Sequence, residues 1–396
     1  MNKRKITLGH LDINAAGKRY VNDALNHNRL SYGPYMERLE ESFAATHGCA
    51  HGIFCNSGTS ALQIALATLK ETFNYRNGEE VIVPATTFIA TSNVVLQNGM
   101  WPVFVDVDPN TFNMDPEAFE RAITPRTRVV IPVHLFGLPA NMGAICDIAN
   151  RHNLQIIEDS CETMFAHTDG RMVGSFGDMA CFSTYVAHLI VGGVGGLVTT
   201  NNKKYEELCR SYMQHGRNAA YTNIDQDDSD EAAVLRDMIP RRYKFERVGY
   251  SYRATELEAA VALSEFEQWA VNVTIRRQNA AYLTARLEDL ASVIQTPVIP
   301  EGYEHSFMMY PMVLTSLVDR DEFLLHLEMN GIETRYLFPL LAQPIYQKLF
   351  NGEADRFPVA ARLSDHGFFI GMHQGLTPVD MDYISEVIHE FFKGKL

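Results

Sequence analysis

His188 lies in an apolar run, residues 179–200, that contains no Asp, Glu, Lys or Arg. Because the ordinary pKa of imidazole is ~6.5, a histidine in this run can accept or release a proton near neutral pH. Glycine weakens a helix interior and favours turns, and the second half of the run contains Gly192, Gly193, Gly195 and Gly196. The run therefore predicts two short β-strands joined by a functional turn that carries His188, and it argues against a membrane-spanning helix.

Residues 57–59, Ser-Gly-Thr, precede a stretch rich in Ala and Leu that is predicted to be helical. Small residues at the start of a helix let the backbone approach a phosphate, and the helix N-terminus favours negative charge. A plain helix cap formed by Ser57 would explain the same residues. The sequence leaves both interpretations open.

Asp159 and Phe88 are two further candidates for binding a cofactor. Asp159 follows an apolar segment, residues 154–157, where an unpaired carboxylate would be costly to bury. The protonated ring nitrogen of a cofactor would supply the cation that Asp159 needs, and a helix cap or an internal salt bridge is the alternative. Phe88 would serve either as a stacking surface for an aromatic ring or as part of the core.

Short β-like runs alternate with helical stretches between residues 52 and 200. The runs are residues 52–55, 81–84, 102–107, 128–133 and 154–157. Strands separated by helices indicate a parallel sheet covered on both faces, in which ligands bind beyond the carboxyl ends of the strands. The polar clusters at residues 57–59, 86–88 and 158–160 all follow predicted strands, so we expect them to meet at one edge of the sheet.

The carboxyl-terminal part of the chain has a different order of elements. An acidic segment does not match the spacing of a calcium loop and is interpreted as a solvated insertion; its acids are Asp225, Asp227, Asp228, Asp230 and Glu231. Residues 255–271 predict a long helix that connects to a second domain, in which a helix, a strand (308–314), a helix (320–330) and a late helix (380–392) indicate an α+β structure. We expect a large cofactor-binding domain with an N-terminal arm at residues 1–270 and a small domain at residues 271–396.

The composition disfavours several classes of protein. The chain has 396 residues and a formal net charge of −14, which disfavours binding to nucleic acid or to an anionic membrane. Its six cysteines form no CxxC pair, and the first twenty residues lack the apolar segment of a signal peptide, so we expect a cytoplasmic protein with reduced thiols. No close His/Cys set predicts a metal site, and only Cys209 follows His188, too few cysteines for an iron–sulfur cluster in the carboxyl-terminal half.

Taken in order, these segments resemble the DegT/StrS family of aminotransferases. That family acts in nucleotide-sugar biosynthesis, uses pyridoxal phosphate and has the aspartate aminotransferase fold (fold type I). The resemblance covers nearly the whole chain. The matching blocks are residues 31–43 (SYGPYMERLEESF), 56–66 (NSGTSALQIAL), 83–88, 104–108, 133–138 (VHLFGL), 158–162 (EDSCE), 182–183, 215–217, 249–257 (GYSYRATEL), 331–335 (GIETR) and 371–377 (GMHQGLT). The resemblance implies an α/β fold, with a mainly parallel sheet between helices and a small α+β domain.

The resemblance also implies which residues hold the cofactor phosphate. The amides of Gly58 and Thr59, in the turn that Ser57 begins, and the Ser183 hydroxyl would bind it. Ser251 stands where the family usually has an asparagine that reaches the phosphate from a second subunit, so the substitution weakens the inference at this position. Active sites shared between subunits imply a homodimer.

Three residues would contact the cofactor ring. Phe88 would stack on the pyridine, and Asp159 would pair with its protonated nitrogen and keep the ring an electron sink. Glu162 stands where many aminotransferases have glutamine near the cofactor and would contact the ring.

His188 is the main departure from the family. Members usually read Phe-Ser-x-x-x-x-Lys, in which the lysine forms a Schiff base with pyridoxal phosphate, and counting from Phe182 and Ser183 places His188 at the lysine position. Imidazole cannot form a stable Schiff base with the aldehyde, so the cofactor would be held non-covalently, most usefully as pyridoxamine phosphate. Proton transfer remains as the role for His188.

The same substitution marks the dehydratase branch of the family, of the GDP-4-keto-6-deoxymannose 3-dehydratase type. Residues 367–376 (GFFIGMHQGL) resemble the carboxyl-terminal signature of that branch. The sequence therefore predicts an enzyme that uses pyridoxamine phosphate to remove the 3-hydroxyl group of a nucleotide-linked 4-keto-6-deoxyhexose, with His188 as general base. Substrate contacts are expected from Tyr185, His215, Arg217 and Arg253, for which surface or structural roles are the alternative.

Other functions would also explain His188. One is a sugar aminotransferase that is served by another lysine and takes its amino group from L-glutamate. Another is a non-catalytic sugar-binding or regulatory protein on the same fold. The last alternative explanation for His188 is an engineered change from lysine to histidine.

Overall fold

The computed structural model describes residues 3–218, 231–241, 243–315, 317–350 and 356–394. The strands are β1 (His51–Cys55), β2 (Glu80–Pro84), β3 (Trp101–Val105), β4 (Thr127–Val130), β5 (Gln155–Asp159), β6 (His167–Thr168), β7 (Arg171–Met172), β8 (Met179–Ser183), β9 (Gly196–Thr200), β10 (Ile294–Gln295), β11 (Met309–Leu314), β12 (Thr334–Tyr336) and β13 (Gly367–Gly371). The helices are α1 (Ala15–Asn26), α2 (Pro34–Thr46), α3 (Gly58–Thr72), α4 (Ala90–Gln97), α5 (Pro116–Ala122), α6 (Met142–His152), α7 (Lys203–Met213), α8 (Ala232–Met238), α9 (Glu256–Phe266), α10 (Trp269–Arg286), α11 (Arg320–Met329), α12 (Pro344–Leu349), α13 (Pro358–His366) and α14 (Pro378–Phe392). The predicted acidic insertion lies outside the described residues, except for Glu231.

The larger sheet has seven strands in the order β1-β9-β8-β5-β4-β2-β3. Neighbouring strands pair in parallel, except that β9 is antiparallel to both β1 and β8. The six other strands therefore share one direction, and their carboxyl ends meet at one edge of the sheet. Every residue of β2, β8 and β9 is buried, as expected for a sheet covered on both faces. The prediction of a mainly parallel sheet is confirmed, as are the two strands that flank the His188 turn.

A second, antiparallel sheet is formed in the carboxyl-terminal part of the chain, with strand order β10-β11-β13-β12. The N-terminal segment lies beside it, because the Ile6 N–H donates to the Gly331 carbonyl at 2.9 Å and the Glu333 N–H donates to the Ile6 carbonyl at 2.9 Å. The predicted α+β character of this region is confirmed. A domain division at residue 270, which lies in the first turn of α10, stays a prediction.

Two details of the predicted elements are wrong. The helix expected over residues 255–271 is interrupted after Phe266, and α10 begins at Trp269, whose ring stacks on Phe165 with a centroid distance of 4.5 Å. An apolar residue stands on each side of the break, so the sequence pattern continues across it. Strands β12 and β13 were not predicted as strands.

In the described part of the chain, every helix is too short or too polar to span a lipid bilayer. All six cysteines are unpaired thiols, and the described residues contain no group of three or more His, Cys, Asp or Glu side chains that could hold a metal ion.

Arg276, on α10, links the residues that precede strand β11 to the loop that follows strand β13. Its side chain is 2% exposed. Its Nη1 donates to the carbonyl oxygens of Phe307 and Met308 at 3.1 Å each, and its Nη2 donates to Gln374 Oε1 at 2.8 Å. Burial lowers the pKa of Arg276 to about 9, so the guanidinium stays charged at neutral pH.

Replacing Arg276 with methionine should lower the free energy of unfolding by about 2–4 kcal/mol, because several buried acceptors would lose their donor. Chemical denaturation monitored by circular dichroism measures this loss. Arg286 on the same helix is the matched control: its side chain is 48% exposed and pairs with Asp382 at 3.4 Å, so Arg286→Met should change stability by no more than about 0.5 kcal/mol. Equal effects of the two substitutions would contradict the anchoring role of Arg276.

Candidate active site

A cavity of ≈410 Å³ opens at the edge where the parallel strands end. Residues that follow β1, β2, β5 and β8 form one side, and residues of the small sheet, including Met309 and Phe369, form the other. Most of the residues singled out in the sequence line this cavity: Ser57, Gly58, Thr59, Phe88, Asp159, Glu162, Ser183, Tyr185 and His188. The fold therefore brings together side chains that are up to 131 residues apart, from Ser57 to His188.

His188 lies in the turn between β8 and β9, held by Tyr185. Its backbone N–H donates to the Tyr185 carbonyl at 2.9 Å, and its Nδ1 lies 3.2 Å from the same oxygen. A carbonyl oxygen can only accept, so the proton sits on Nδ1 and the lone pair of Nε2 is available. Burial, with a smaller contribution from the charge of Arg276, lowers the pKa of His188 to about 4 despite the opposing hydrogen bond to Tyr185. The imidazole is thus neutral at pH 7 and able to act as a base.

Asp159 is the last residue of β5 and is 4% exposed. Its Oδ2 accepts a hydrogen bond from Thr91 Oγ1 at 2.7 Å, and its Oδ1 accepts one from the Cys161 N–H at 3.2 Å. No Lys, Arg or His nitrogen of the described residues lies within 4.0 Å of this carboxylate. Burial raises the pKa of Asp159. Among the described residues, Asp159 therefore forms neither a salt bridge nor a helix cap, and its carboxylate lines the cavity without a cationic partner.

The turn after β1 combines a helix cap with a close backbone approach. Ser57 is the N-cap of α3, because its Oγ accepts a hydrogen bond from the Ser60 N–H at 3.1 Å, so the cap interpretation is confirmed for this side chain. A Cβ at Gly58 would lie 2.7 Å from Cys161 Sγ and 2.8 Å from Ser183 Cβ, so only glycine fits there. The first amides of a helix have no acceptor within the helix. With Ser183 beside them, the amides of this turn form an arrangement suited to an anion.

Glu162 and Phe88 also line the cavity. The Glu162 side chain is 8% exposed, and its Oε2 accepts a hydrogen bond from the Phe136 N–H at 3.1 Å. Burial raises the pKa of Glu162 to about 8, and the charge of Asp159 raises it as well. The Phe88 ring is 56% exposed and meets Phe338 edge-on at a centroid distance of 6.2 Å, so its alternative assignment to the core is wrong.

Four predicted residues do not line the cavity within a single chain. Ser251 and Arg253 are exposed, and Arg253 Nη2 donates to Ser251 Oγ at 2.8 Å. His215 is exposed with a φ of +62°, and the Arg217 guanidinium lies 5.6 Å from the ring centroid of Phe245. Their roles toward phosphate and substrate, including the contact of Ser251 across a subunit boundary, stay predictions.

No lysine lines the cavity in the part of the chain that is described. Two lysines that follow His188 in the sequence are exposed and paired with carboxylates. Lys203 binds Glu206 at 2.6 Å, and Lys244 binds Glu246 at 3.1 Å. The alternative of a transaminase served by a second lysine therefore has no candidate lysine among these cavity residues.

Sequence reasoning missed several residues of the cavity wall. Arg335, on β12, contributes a cation whose Nη2 pairs with Glu333 Oε1 at 2.7 Å. Glu333 Oε2 also accepts a hydrogen bond from the Leu8 N–H at 3.2 Å, which brings the N-terminal segment into the wall. Arg335 falls within the GIETR block that carries the resemblance, so its charge and its place in a matching block could have identified it as a site residue. Leu8 carried no such signal.

The chain is similar in sequence to one known family over nearly its whole length. The sequence profile of the DegT/DnrJ/EryC1/StrS aminotransferase family matches residues 12–389. Among curated relatives, GDP-perosamine synthase of Caulobacter vibrioides is 35% identical over 89% of this chain and 89% of its own. UDP-N-acetyl-3-dehydro-alpha-D-glucosamine 3-aminotransferase of Acidithiobacillus ferrooxidans is also 35% identical, over 90% of this chain and 88% of its own.

Among solved structures, E. coli GDP-4-keto-6-deoxy-D-mannose-3-dehydratase with bound hydrated PLP superimposes with a TM-score of 0.87 and 25% identity, over 98% of this chain and 100% of that chain. The predicted aspartate aminotransferase-like fold is confirmed, and a dehydratase among the neighbours is consistent with the predicted resemblance to that branch. The family profile spans nearly the whole chain, and two relatives exceed 30% identity over about nine-tenths of it. The chain belongs to the DegT/DnrJ/EryC1/StrS aminotransferase family.

Proposed function

We propose that the protein binds pyridoxamine 5′-phosphate without a covalent link and removes the 3-hydroxyl group of a nucleotide-linked 4-keto-6-deoxyhexose. One observation carries the proposal: His188 has an available basic Nε2 in a cavity that, among the described residues, no lysine lines. The solved 3-dehydratase with the same fold supports it.

The residues of the cavity fit this cofactor. Gly58 and Thr59, at the start of α3, line the cavity together with Ser183, and the first amides of a helix favour a phosphate. Asp159 supplies a buried carboxylate that needs a cation, and a protonated pyridine nitrogen provides one. Phe88 presents an exposed aromatic face to the same space.

When bound, pyridoxamine phosphate would supply an amino group, a conjugated ring that accepts electrons and, on conversion to its aldehyde form, the two electrons that replace the 3-hydroxyl group by hydrogen; L-glutamate would restore the amine. Asp159 would keep the ring nitrogen protonated, because its ionised carboxylate favours a positive charge beside it. Nε2 of His188 would accept one proton from the methylene carbon of the cofactor, and the resulting imidazolium would give it to a departing hydroxyl group, which leaves as water. The Nδ1 contact with Tyr185 would hold the ring in the tautomer that this transfer requires.

The same family membership supports a second function, a sugar aminotransferase that uses L-glutamate, because one relative at 35% identity is named as an aminotransferase. The cavity favours it less, since no described lysine lines it. We also propose a cytoplasmic homodimer in which Ser251 of a second copy completes the phosphate site, as the family resemblance implies.

Product analysis separates these functions. The purified protein would be incubated with pyridoxamine 5′-phosphate, L-glutamate and a panel of GDP-, UDP- and dTDP-linked 4-keto-6-deoxyhexoses, and the products analysed by mass spectrometry and NMR. We expect a sugar without its 3-hydroxyl group. An amino sugar as the main product would establish the aminotransferase instead. If the protein binds neither pyridoxamine phosphate nor pyridoxal phosphate, it is a non-catalytic homologue.

The pH dependence of turnover should reflect the low pKa of His188. Because burial lowers this pKa to about 4, the imidazole becomes protonated, and loses its function as a base, only as the pH falls through about 4. We therefore expect kcat/KM to stay constant from about pH 7 down to about pH 5 and to fall below that. An acid limb centred near the ordinary histidine pKa of ~6.5 would contradict the environment assigned to His188.

A further inference from the structure

The turn that carries His188 is anchored unevenly. The backbone N–H and Nδ1 of His188 both lie against the carbonyl oxygen of Tyr185, in the same turn, and the Tyr185 side chain is 54% exposed. Val186 is also exposed, whereas Leu189 and Ile190, which follow His188, are buried in the core. The side chains of the turn therefore anchor it firmly only after His188. The position of the imidazole also depends on what holds the residues before it.

The backbone of Gly9 lies directly against those residues. A Cβ at Gly9 would lie 2.6 Å from the carbonyl oxygen of Val186 and 2.9 Å from the Cα of Ala187. Both atoms belong to the backbone, so rotation of a side chain could not relieve such contacts. Gly9 does not have a positive φ, so glycine is needed here for the close approach and not for an unusual backbone conformation. A larger residue at this position must displace the turn or the segment that contains Gly9.

That segment, residues 7–10, is also packed against the small sheet. The Leu8 N–H donates to Glu333 Oε2 at 3.2 Å, in the residue before β12. A Cβ at Gly371, the last residue of β13, would collide with the Thr7 carbonyl oxygen and lie 3.0 Å from the Leu8 Cα. The segment therefore lies between the small sheet and the His188 turn and has little room to move away from the turn.

We propose that Gly9 is a positioning residue for His188, because it lets residues 7–10 lie against the backbone of residues 186 and 187 and so sets the place of Nε2 in the cavity. The inference rests on the proposed function, in which Nε2 moves a proton. Leu8 lines the same cavity as His188, so this segment reaches the site itself. A misplacement of about 1 Å in a reacting group can cost about 10²-fold in rate, so a single methyl group at residue 9 should be measurable.

Gly9→Ala should lower kcat by about 10–100-fold, because the added methyl group displaces the turn that carries the base. The dissociation constant of pyridoxamine 5′-phosphate should stay within about twofold of the wild-type value, since the proposed phosphate and ring contacts come from other segments. Steady-state kinetics would be normalised to the number of cofactor-binding sites, and binding would be measured by fluorescence titration. A loss of folded protein alone would reduce the number of sites and leave the normalised kcat unchanged.

Gly143→Ala is the matched control, because Gly143 is exposed on α6 and a Cβ there would lie 3.1 Å from Asp169 Oδ2, the end of a side chain that can turn away. It should leave both kcat and the dissociation constant unchanged. Thr7→Val is a milder second variant. Thr7 Oγ1 donates to the Gly9 carbonyl at 3.0 Å, and valine keeps the shape without the hydroxyl group. We expect kcat to fall by about 2–10-fold, the range for the loss of one hydrogen bond.

The NMR resonance of the His188 ring reports the position of the turn without cofactor or turnover. With 13C-labelled histidine, the signal is identified by its absence in His188→Asn. In Gly9→Ala its chemical shift should change, and the pKa of His188, which burial lowers to about 4, should rise toward the ordinary value of ~6.5 as the turn is displaced. The substitution leaves the titratable groups around the turn in the chain: His10, Asp159, Glu162, Arg276 and Arg335.

Two results would overturn the proposal. One is an unchanged His188 resonance and pKa in Gly9→Ala. The other is wild-type kcat in Gly9→Ala, or in Thr7→Val if Gly9→Ala does not fold. Absence of turnover by the wild type with every keto sugar would contradict the proposed function instead, and the His188 resonance would still show whether Gly9 holds the turn in place.

Discussion

Replacing His188 with asparagine should lower turnover by about 10²–10⁴-fold, the range that a positioned general base contributes. Asparagine can still donate a hydrogen bond toward the Tyr185 carbonyl, as Nδ1 of His188 does at 3.2 Å, but it has no basic nitrogen. The dissociation constant of pyridoxamine 5′-phosphate should stay within about threefold of the wild-type value, since phosphate and ring contacts come from other residues. Steady-state kinetics and a fluorescence titration measure the two quantities separately.

His27→Asn is the matched control for this substitution. His27 follows α1, and its side chain is 71% exposed, so its replacement should change neither turnover nor binding. A His188→Asn protein that keeps more than about a tenth of the wild-type turnover would show that another group moves the proton.

Asp159→Asn should weaken the binding of pyridoxamine 5′-phosphate by about 10–100-fold. A hydrogen bond to a charged group contributes about 1.5–3 kcal/mol, and the amide cannot supply the negative charge that a protonated ring nitrogen requires. Turnover at saturating cofactor should fall as well, because the ring becomes a poorer acceptor of electrons when its nitrogen loses the proton. Fluorescence titration and saturation kinetics check the two effects.

The exposed Asp147, on α6, is the control for Asp159, and Asp147→Asn should leave the affinity unchanged. Wild-type affinity in Asp159→Asn would mean that the cation facing this carboxylate is not the cofactor ring.

The sequence was most informative at the edge of the large sheet. Residues 57–59 and 86–88 follow β1 and β2, and residues 158–160 span the end of β5; these strands share one direction, so strand order alone brings Gly58, Phe88 and Asp159 to the same edge. The position of His188 followed from its distance to Phe182 and Ser183 in the strand before it. The glycines after His188 likewise indicated a turn before β9.

The remaining features depend on contacts between distant segments. The break between α9 and α10 has apolar residues on both sides, and the stacking of Trp269 on Phe165 comes from a residue more than 100 positions away. Strands β12 and β13 are short and pair with each other across an intervening segment of 30 residues, a pairing that periodicity does not reveal. Leu8 lines the cavity because its segment is held by the pairing of Ile6 with Ile332 and by the hydrogen bond from the Leu8 N–H to Glu333.

The protonation state of Glu162 also could not be predicted from the sequence. A glutamate in an EDSCE block indicates a polar contact, but its charge depends on burial, on the single donor from Phe136 and on the neighbouring Asp159. Each of these is a property of the folded chain.

The most direct test of the account follows the proton that His188 is proposed to move. Pyridoxamine 5′-phosphate carrying deuterium on its methylene carbon would be incubated with the keto sugar and either the wild type or His188→Asn, and the loss of deuterium to solvent measured by mass spectrometry. We expect the wild type to release the label and the variant to release it at least about 100-fold more slowly. Release at equal rates from both proteins would contradict the assignment of His188 as the base.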